Sequence, residues 1–370
     1  MRPTRAEVNL AAIRKNLHAV QKAAAGQRVL AVLKADGYGH GAPAVARTLE
    51  RAGVDGFAVA LLEEAIELRD AGIHAPILVM GGLYGGACDE VLSHGLTPVV
   101  YDRGQLEALA RAARAAGVRA KVHLKIDTGM ARLGVREREL PEVARALRDR
   151  PELEVEALMT HLACADAPSR ESMDEQLARF DAAAEVVRAA GVSFSMRHAA
   201  NSAALLRGTP ALGAVRPGLA LFGISPVEGG PSLAPVMRVR SEIACLRRLE
   251  PGESAGYGWA FTARRPTVLA TVPVGYADGL PRSLSGRGAM LVRGKRAPVA
   301  GTISMDMVML DVTDLDGASV RDEVVVLGAQ QGPLGRDEIR ATELADLAGT
   351  IPWEILTSIS RRVPRFYREP

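Results

Sequence analysis

Short β-rich runs alternate with longer amphipathic segments from the start of the chain to Arg216. The longer segments carry the three-to-four-residue apolar spacing of helices. Eight strands are predicted, over Val29–Lys34, Gly56–Ala60, Pro76–Met80, Thr97–Tyr101, Lys121–Asp127, Val155–Thr160, Ser193–Arg197 and Ala211–Arg216. The clearest helices are predicted over Leu61–Ala71, Asp102–Ala116 and Ser172–Ala190.

Glycines mark the points where the predicted helices end before the next strand. They are Gly53, Gly72, Gly95, Gly117 and Gly191. Eight strand–helix units predict an α/β fold with a (βα)8 TIM-like barrel. A doubly wound open sheet has the same local pattern, and only the count of eight favours the barrel.

The alternation of strand and helix patterns changes after Pro226–Ser232, a turn-rich stretch that is typical of a linker. Beyond it, strands are predicted over Val236–Ile243, Val268–Val272, Ala289–Val292 and Glu323–Leu327, and one helix over Arg336–Ala348. These runs are separated by Gly, Pro and Asp, as in β-rich domains. We therefore expect a barrel over residues 11–232 and a mainly β domain over residues 233–370.

Composition and charge exclude several classes of function. The chain has 370 residues, of which 48% are hydrophobic and 24% charged, as in ordinary globular proteins. The net charge is only +3, and no basic block suggests nucleic-acid binding. No apolar run approaches the roughly 18 residues that span a bilayer, and the polar N-terminus does not resemble a signal peptide.

Cysteine usage points to a reducing compartment. Cys88, Cys164 and Cys245 are far apart and odd in number. They match neither a disulfide framework nor a metal site. Together with the absence of a membrane segment, this pattern predicts a cytoplasmic enzyme that uses no metal ion.

A lysine at the end of the first predicted strand is the first candidate for chemistry. Lys34 is followed by the glycine-rich segment 35–41, which contains Tyr38. Barrel enzymes build their active sites at the C-terminal ends of their strands. A lysine held there in partly apolar surroundings can lose its proton and form a Schiff base. A solvated lysine at a strand end is commoner in general, but the glycine-rich loop and Tyr38 favour the chemical role.

Eight further motifs follow this lysine in order. Four lie in the predicted barrel, over Leu124–Gly134, Thr160–Ala163, His198–Ser202 and Val215–Leu219. Four lie in the second domain, over Gly256–Gly258, Gly275–Gly279, Gly301–Asp306 and Arg362–Arg365. With the segment around Lys34, they resemble the alanine racemase family over nearly the whole chain. Each motif is short, so their shared order in both domains makes the resemblance specific.

The resemblance implies a pyridoxal-phosphate enzyme that racemises alanine. Lys34 would hold the cofactor through a Schiff base, and the cofactor would make the Cα proton acidic. Lys34 and Tyr257 would be the two bases, one on each face of Cα. A tyrosine with the ordinary pKa near 10 is a poor base, so Tyr257 would need tuning or a proton relay. Without the resemblance, Tyr257 is typical of a turn tyrosine between two glycines.

The resemblance also implies the cofactor contacts. Arg216 would hydrogen-bond the pyridine nitrogen, and a guanidinium only donates. That nitrogen would therefore stay unprotonated, which favours prompt reprotonation over transamination. His161 would pack against the ring, and His198 would lie near Arg216. The residues expected at the phosphate are Tyr38, Asn201, Ser202, Gly218, Leu219 and Trp353.

Two groups are expected at the carboxylate of the substrate. By resemblance these are the guanidinium of Arg132 and the backbone N–H of Met305. Lys125 matches a lysine that is often carbamylated in the family and then positions the arginine. Tyr276 would support the site, and Asp306 would cap a turn beside Met305.

The resemblance further implies a head-to-tail homodimer. In the family, Lys34 and Arg216 correspond to barrel residues of one subunit. Tyr257, Tyr276 and Met305 correspond to residues of the β domain of the other. A monomer would therefore lack half of its acid–base machinery. Residues 1–10 would pair as a strand with the second domain.

Trp353 is the one departure from the family pattern. Family members commonly have a tyrosine here, which hydrogen-bonds the phosphate and narrows the substrate gate. An indole N–H donates but cannot accept. We expect the phosphate to lose one donor and the gate to stay tight, favouring alanine over larger amino acids.

Several other functions share part of this pattern. A serine or broad-spectrum racemase carries nearly all of the same motifs. A pyridoxal-phosphate decarboxylase has a similar architecture, but its substrate-binding cysteine motif has no match, since Cys245 lies in a strand pattern. A non-catalytic pyridoxal-phosphate-binding protein needs neither a second domain nor Tyr257. The family default for an alanine racemase is supply of D-alanine to peptidoglycan.

Overall fold

The computed structural model describes residues 2–210 and 212–369. The chain forms two compact units, which we name the barrel unit and the sheet unit. The barrel unit comprises residues 12–37 and 42–234. The sheet unit comprises the described residues of 1–11, 38–41 and 235–370.

Nine strands are described before residue 234. They are β1 (Arg5–Asn9), β2 (Arg28–Val32), β3 (Gly56–Val59), β4 (Ile77–Val79), β5 (Thr97–Val100), β6 (Ala120–Lys125), β7 (Leu153–Met159), β8 (Met196–His198) and β9 (Ala214–Val215). The last eight of these correspond to the eight predicted strands. The prediction over Ala211–Arg216 begins at a residue that lies outside the described ones.

Strands β2 to β9 form one parallel sheet that closes on itself. Their order is β9-β2-β3-β4-β5-β6-β7-β8. A bridge between Arg197 and Gly213 joins the two ends, and Arg197 N donates to Leu212 O at 2.9 Å. Every residue of β3 is buried, as expected where a parallel sheet is covered on both faces. The predicted (βα)8 barrel is therefore confirmed.

Eight helices are described over the same part of the chain. They are α1 (Leu10–Ala24), α2 (Ala42–Arg51), α3 (Leu62–Asp70), α4 (Cys88–Ser93), α5 (Arg103–Ala116), α6 (Leu140–Arg148), α7 (Glu171–Ala189) and α8 (Ser202–Leu206). Asp102 caps α5 by accepting from Gln105 N at 2.9 Å, and Gly117 ends it with a φ of 68°. Across residues 2–210 and 212–369, we find no helix long and apolar enough to cross a membrane.

The sheet unit is mainly β, as predicted. Its further strands are β10 (Met237–Glu242), β11 (Cys245–Leu249), β12 (Ser254–Ala255), β13 (Phe261–Thr262), β14 (Thr267–Val272), β15 (Ala289–Val292), β16 (Lys295–Pro298), β17 (Val308–Asp311), β18 (Glu323–Gly332), β19 (Gly335–Ile339) and β20 (Arg365–Arg368). Its helices are α9 (Ala341–Ala348) and α10 (Pro352–Ser358).

The largest sheet of this unit includes the first strand of the chain. Its order is β16-β15-β18-β10-β1-β20, and β19 pairs with β18. Strand β1 runs antiparallel to β10, with Val8 opposite Met237, and parallel to β20. A three-stranded sheet, β11-β14-β17, and a hairpin, β12-β13, complete the unit.

The prediction of one helix over Arg336–Ala348 was wrong at its start. Residues Arg336 to Ile339 belong to β19, which pairs back on β18 with Gln331 opposite Arg336. Ile339 is fully buried, while the carboxylate of Asp337 accepts from Arg296 Nε at 2.8 Å. Backbone pairing with β18 therefore makes these residues a strand, and the helix begins only at Ala341. The helix α10 was not predicted.

Candidate active site

Charged and polar side chains converge at the C-terminal ends of the barrel strands. Lys34 follows β2, Lys125 ends β6 and His198 ends β8. His161 and Arg216 lie just after β7 and β9. Because parallel strands of a barrel all end at one face, the sequence-predicted residues of the barrel unit come together there.

The backbone after Lys34 adopts a rare left-handed turn. Ala35 and Asp36 both have a φ of 53°, Gly37 has 60° and Tyr38 has 52°. For residues other than glycine, this conformation costs about 1–2 kcal/mol each. Such strain persists only where the surroundings impose it, and it is concentrated at functional sites.

The carboxylate of Glu64 is one of the groups that hold this turn. Its Oε1 accepts from Ala35 N at 2.6 Å, and its Oε2 accepts from Ala60 N at 2.8 Å. Asp36 Oδ1 accepts from Ala42 N at 2.8 Å, which ties the turn to the start of α2. The position of Lys34 is therefore fixed by two carboxylates that the sequence analysis did not single out.

The surroundings of Lys34 favour its neutral amine. Its pKa is lowered from the ordinary value, first by removal from water and then by the positive charge of Arg132. Glu64 opposes this by favouring the ammonium. A lysine with a lowered pKa is a better nucleophile and base near neutral pH.

Arg216 is buried inside the barrel and surrounded by acceptors. Its Nη1 donates to Nδ1 of His198 at 2.5 Å. Its Nη2 donates to Thr160 O at 2.8 Å and Ala199 O at 3.1 Å, and lies 3.3 Å from Nδ1 of His161. Burial lowers the pKa of Arg216 to about 9, so the guanidinium stays protonated at neutral pH.

Both histidines beside Arg216 are neutral. Burial, and then the charge of Arg216, lower the pKa of His161 to about 3. Burial lowers the pKa of His198 well below its usual value, and Arg216 adds to this. A neutral imidazole can accept at the nitrogen that faces Arg216. The structure places Nδ1 of His198 within hydrogen-bonding distance of this arginine.

Lys125 is buried among positive charges. Burial, then Arg132 and Arg216, lower its pKa to about 8, whereas Asp127 favours the charged form. A substantial fraction of its amine is therefore neutral near pH 8. Arg132 itself is exposed, in the loop that follows β6.

Two segments meet around Ser202 at the start of α8. Its Oγ accepts from Gly218 N at 3.0 Å and from Ala220 N at 3.3 Å. Both contacts use the oxygen as acceptor, so the hydroxyl hydrogen remains to donate to an anion. Asn201 caps the helix by accepting from Ala204 N at 3.0 Å, and buried Leu219 opens a short 3₁₀ turn.

The chemistry-bearing residues of the sheet unit are exposed. Tyr257 lies in a turn between β12 and β13 and is 75% exposed. Its neighbour Trp259 is 77% exposed, and Tyr276 and Met305 also face solvent. Tyr276 N donates to Ser304 O at 3.1 Å, so Tyr276 and the Met305 loop lie side by side.

Gly275 allows this close packing of two loops. A Cβ at this position would lie 2.3 Å from Met305 O. The loops are further fixed by buried Asp278, which accepts from Gly275 N at 3.0 Å and from Arg2 Nη2 at 2.8 Å. Asp306 forms an ion pair with Arg362 at 2.6 Å, and this arginine belongs to the last of the sequence motifs.

Tyr38 and Trp353 are the remaining predicted residues of the sheet unit. Burial raises the pKa of Tyr38 to about 12, so it stays a neutral phenol that can donate a hydrogen bond. Trp353 is half-buried in α10, and its backbone oxygen accepts from Thr357 Oγ1 at 2.8 Å. Their roles at a phosphate stay predictions.

Two residues that were not predicted, buried His123 and partly exposed Glu156, continue the hydrogen bonds that begin at His198. Its Nε2 lies 2.9 Å from Nδ1 of His123, and Nε2 of His123 lies 3.2 Å from Oε2 of Glu156. Strand alternation could have found His123, because it stands two residues before Lys125 and so points to the same side of β6. Nothing in the local sequence distinguishes Glu156 from other glutamates.

Comparisons with known proteins agree over the full chain. The family model "Alanine racemase, N-terminal domain" matches residues 8–226, and "Alanine racemase, C-terminal domain" matches residues 236–367. The chain is 58% identical to an alanine racemase of Sorangium cellulosum, over 100% of both proteins. It is 46% identical to that of Symbiobacterium thermophilum, over 99% of this chain and 97% of the relative.

Solved structures show the same similarity. Alanine racemase from a D-cycloserine-producing Streptomyces lavendulae superposes with a TM-score of 0.93 at 36% identity, covering 100% of this chain and 98% of that one. Alanine racemase from Bartonella henselae, solved with covalently bound pyridoxal phosphate, superposes with a TM-score of 0.90 at 30% identity, covering 100% of both chains.

Proposed function

The chain belongs to the alanine racemase family of isomerases, and we propose that it interconverts L-alanine and D-alanine with Lys34 and Tyr257 as its two bases. The observation that carries the proposal is the lowered pKa of Lys34, which the burial and charge of the barrel produce. A base is required on each face of Cα, and a lysine whose burial favours the neutral amine is suited to one of these roles.

The barrel residues fit pyridoxal phosphate. The cofactor, bound covalently at Lys34, supplies the electron withdrawal that makes the Cα proton acidic. Arg216 is a buried cation that can only donate, so it suits a pyridine nitrogen that carries no proton. The neutral ring of His161 beside it suits packing against an aromatic cofactor. We therefore assign cofactor binding to the barrel, over residues 11–232.

The phosphate of the cofactor needs several hydrogen-bond donors. The Ser202 hydroxyl is buried and retains a hydrogen to donate. Leu219 presents a backbone N–H beside it, the Gly218 N–H donates to Ser202 Oγ, and Asn201 caps the adjoining helix, so Gly218 is included by resemblance. We assign the phosphate to this group, with Tyr38 and Trp353 added by resemblance.

The carboxylate of alanine is assigned to Arg132 and to the backbone N–H of Met305. Arg132 is exposed, and its charge already acts on Lys34, Lys125 and His161. Carbamylation of Lys125 requires its neutral amine, which the lowered pKa provides. The product would be an anion able to hold the arginine in place.

We further propose a head-to-tail homodimer in which Tyr257 completes the site of a partner subunit. Tyr257, Trp259, Tyr276, Met305 and Met307 are all exposed on the sheet unit. Large exposed apolar side chains are typical of an interaction site when they lie together, as Tyr276 and the Met305 loop do. Tyr257 itself is 75% exposed.

The experiment that tests the function is racemisation of L-alanine by the purified protein with added pyridoxal phosphate. Wild type should form D-alanine. Tyr257→Phe should lose nearly all activity, by about 10²–10⁴-fold for loss of a positioned acid–base group, while still binding the cofactor. Absence of racemisation by a cofactor-loaded wild type would refute the proposal and lead to serine and decarboxylation assays.

The proposed biological role is supply of D-alanine to peptidoglycan in the cytoplasm, drawn from the family resemblance. Growth of a D-alanine-requiring bacterium on this gene alone would support it. Faster racemisation of serine than of alanine would instead favour a broad-spectrum enzyme, which carries nearly the same motifs.

A further inference from the structure

Arg216 is a buried cation without a carboxylate partner among the described residues. Its hydrogen-bond acceptors are two backbone carbonyls and two neutral imidazoles. An unpaired buried charge is costly, so such groups normally have a counter-charge within reach. The hydrogen bonds that lead away from Arg216 show where this counter-charge lies.

A chain of three hydrogen bonds connects Arg216 with Glu156. Arg216 Nη1 donates to His198 Nδ1 at 2.5 Å, His198 Nε2 and His123 Nδ1 are 2.9 Å apart, and His123 Nε2 and Glu156 Oε2 are 3.2 Å apart. Both histidines are almost fully buried. The chain crosses three neighbouring strands, β8, β6 and β7, inside the barrel.

The two ends of this chain determine every proton in it. A guanidinium only donates and an ionised carboxylate only accepts. His198 must therefore accept at Nδ1 and carry its proton on Nε2, which donates to His123. His123 must likewise accept at Nδ1 and donate from Nε2 to Glu156. Both imidazoles are therefore neutral, with the proton on Nε2. If donors and acceptors were exchanged along these hydrogen bonds, Nδ1–H of His198 would face an N–H of Arg216.

The backbone of β7 is adapted to deliver Glu156. The register between β6 and β7 shifts at this point, since Val122 pairs with Val155 but His123 pairs with Ala157. Glu156 is the extra residue of this β-bulge. Bulges re-aim side chains and are rare between parallel strands. The irregularity turns the carboxylate towards His123.

Glu156 is also kept ionised. Its pKa is lowered, first by the hydrogen bond with His123 and further by the charges of Lys121 and Arg28. Lys121 Nζ lies 4.0 Å from Oε1, and the side chain of Glu156 is 22% exposed, so it retains contact with water. Because an ionised Glu156 can only accept, each hydrogen bond between Arg216 and Glu156 has its donor on the Arg216 side.

We propose that Glu156, acting through His123 and His198, is a positioning residue that fixes both histidine tautomers and so holds the Arg216 guanidinium in its orientation towards the cofactor. The expected effect on catalysis rests on the proposed function. The hydrogen-bond chain itself can be tested without the cofactor.

The direct test is nitrogen NMR of the full-length protein labelled with ¹⁵N-histidine, recorded without pyridoxal phosphate. Variants His123→Gln and His198→Gln would assign the two signals. Wild type should show both rings neutral and protonated at Nε2 from pH 5 to 8. Glu156→Ala should give His123 a mixture of tautomers. A charged or Nδ1-protonated His123 in wild type would overturn the proposal whether or not the protein racemises alanine.

The kinetic test uses Glu154 as the matched control. Glu154 lies two residues earlier on β7 and is also half-buried, but His123 is bonded to Glu156. Glu156→Ala should lower kcat about 10-fold with KM for alanine nearly unchanged, as for other outer partners that orient an active-site group. The kcat of Glu154→Ala should stay within about twofold of the wild-type value, so that the two variants can be distinguished clearly. Cofactor content and melting temperature would show that each variant is folded.

A third variant separates the hydrogen-bond acceptor from its charge. Glu156→Gln keeps an oxygen that accepts from His123 Nε2, so it should recover most of the lost kcat and the neutral Nε2–H signals. Equal kcat for Glu156→Ala and Glu154→Ala would overturn the proposal. So would a Glu156→Gln enzyme as slow as Glu156→Ala. An inactive wild type with the expected NMR signals would refute only the proposed function.

Discussion

The two units hold their chemical groups in opposite ways. In the barrel unit, Arg216 and His198 are buried and bonded to fixed partners, and the turn after Lys34 is held by Glu64. In the sheet unit, Tyr257 is 75% exposed on a short hairpin. The barrel site is therefore preorganised within one chain, whereas in the proposed homodimer Tyr257 would acquire its surroundings from the partner subunit.

The strongest test of this difference mixes two inactive variants. Lys34→Ala and Tyr257→Phe should each lose racemase activity by about 10²–10⁴-fold, as expected for loss of an acid–base group. Refolded together, they should recover about one quarter of wild-type activity, since half of randomly mixed dimers carry one intact site of two. The measurement is D-alanine formation before and after mixing.

Homodimers of either variant alone provide the control for the mixing experiment. A mixture that stays as inactive as its components would contradict sharing of the site between subunits. Tyr257 would then have to act on the Lys34 of its own chain.

Gly275→Ala should have the next largest effect. The added Cβ would lie 2.3 Å from Met305 O, so the two loops must separate. Overpacking of this kind costs about 1–3 kcal/mol, and displacement of the Met305 N–H should raise KM for alanine about 10-fold or more. The measurements are melting temperature and steady-state kinetics.

Gly252→Ala is a suitable comparison for Gly275→Ala, because a Cβ at Gly252 meets nothing within 4 Å. Its φ of 93° makes it mildly unfavourable for stability without affecting the Met305 loop. Equal KM values for the two variants would show that packing of these loops does not position the substrate.

Trp353→Tyr should have a smaller effect, because it restores one donor and does not disturb the backbone. One hydrogen bond of about 1 kcal/mol predicts roughly fivefold tighter pyridoxal phosphate binding. We also expect wild type to turn over alanine faster than serine or leucine. The measurement is cofactor titration of the apoprotein together with substrate competition. Weaker cofactor binding by Trp353→Tyr would contradict the expectation that tryptophan costs the phosphate one hydrogen-bond donor.

Glu64→Gln should have the smallest effect, a change in the pH dependence of cofactor incorporation. Glu64 raises the pKa of Lys34, so removal of its charge should lower that pKa further. The neutral amine is the form that couples to an aldehyde. The pH midpoint for cofactor incorporation should therefore move to lower pH, which a series of absorbance measurements would show. A shift to higher pH would refute the assigned role of Glu64.

Local sequence patterns predicted most of the barrel. The eight strands follow from short apolar runs, and Asp102 and Gly117 mark the ends of α5 as their chemistry requires. The same reasoning was wrong over Arg336–Ile339, because a charged strand on a sheet edge and the first turn of a helix share one composition. Pairing with β18, which is not local, decided between them.

The residues of the candidate site likewise divide into those that local sequence revealed and those that it did not. Motifs around Lys34, Arg216 and Ser202 could be recognised because each is a short run with its own chemistry. Glu156 could not, because its role depends on a register shift between two strands. No pattern within β7 reveals that shift.

The sequence by itself determined the strand count of the barrel, the segments that carry chemistry and the membership of one family, since these depend on residue type and spacing along the chain. The tertiary structure alone decided the closure of the barrel between Arg197 and Gly213, the lowered pKa of Lys34 and the chain from Arg216 to Glu156. These depend on distances between residues far apart in sequence, and on the removal of water that only packing produces.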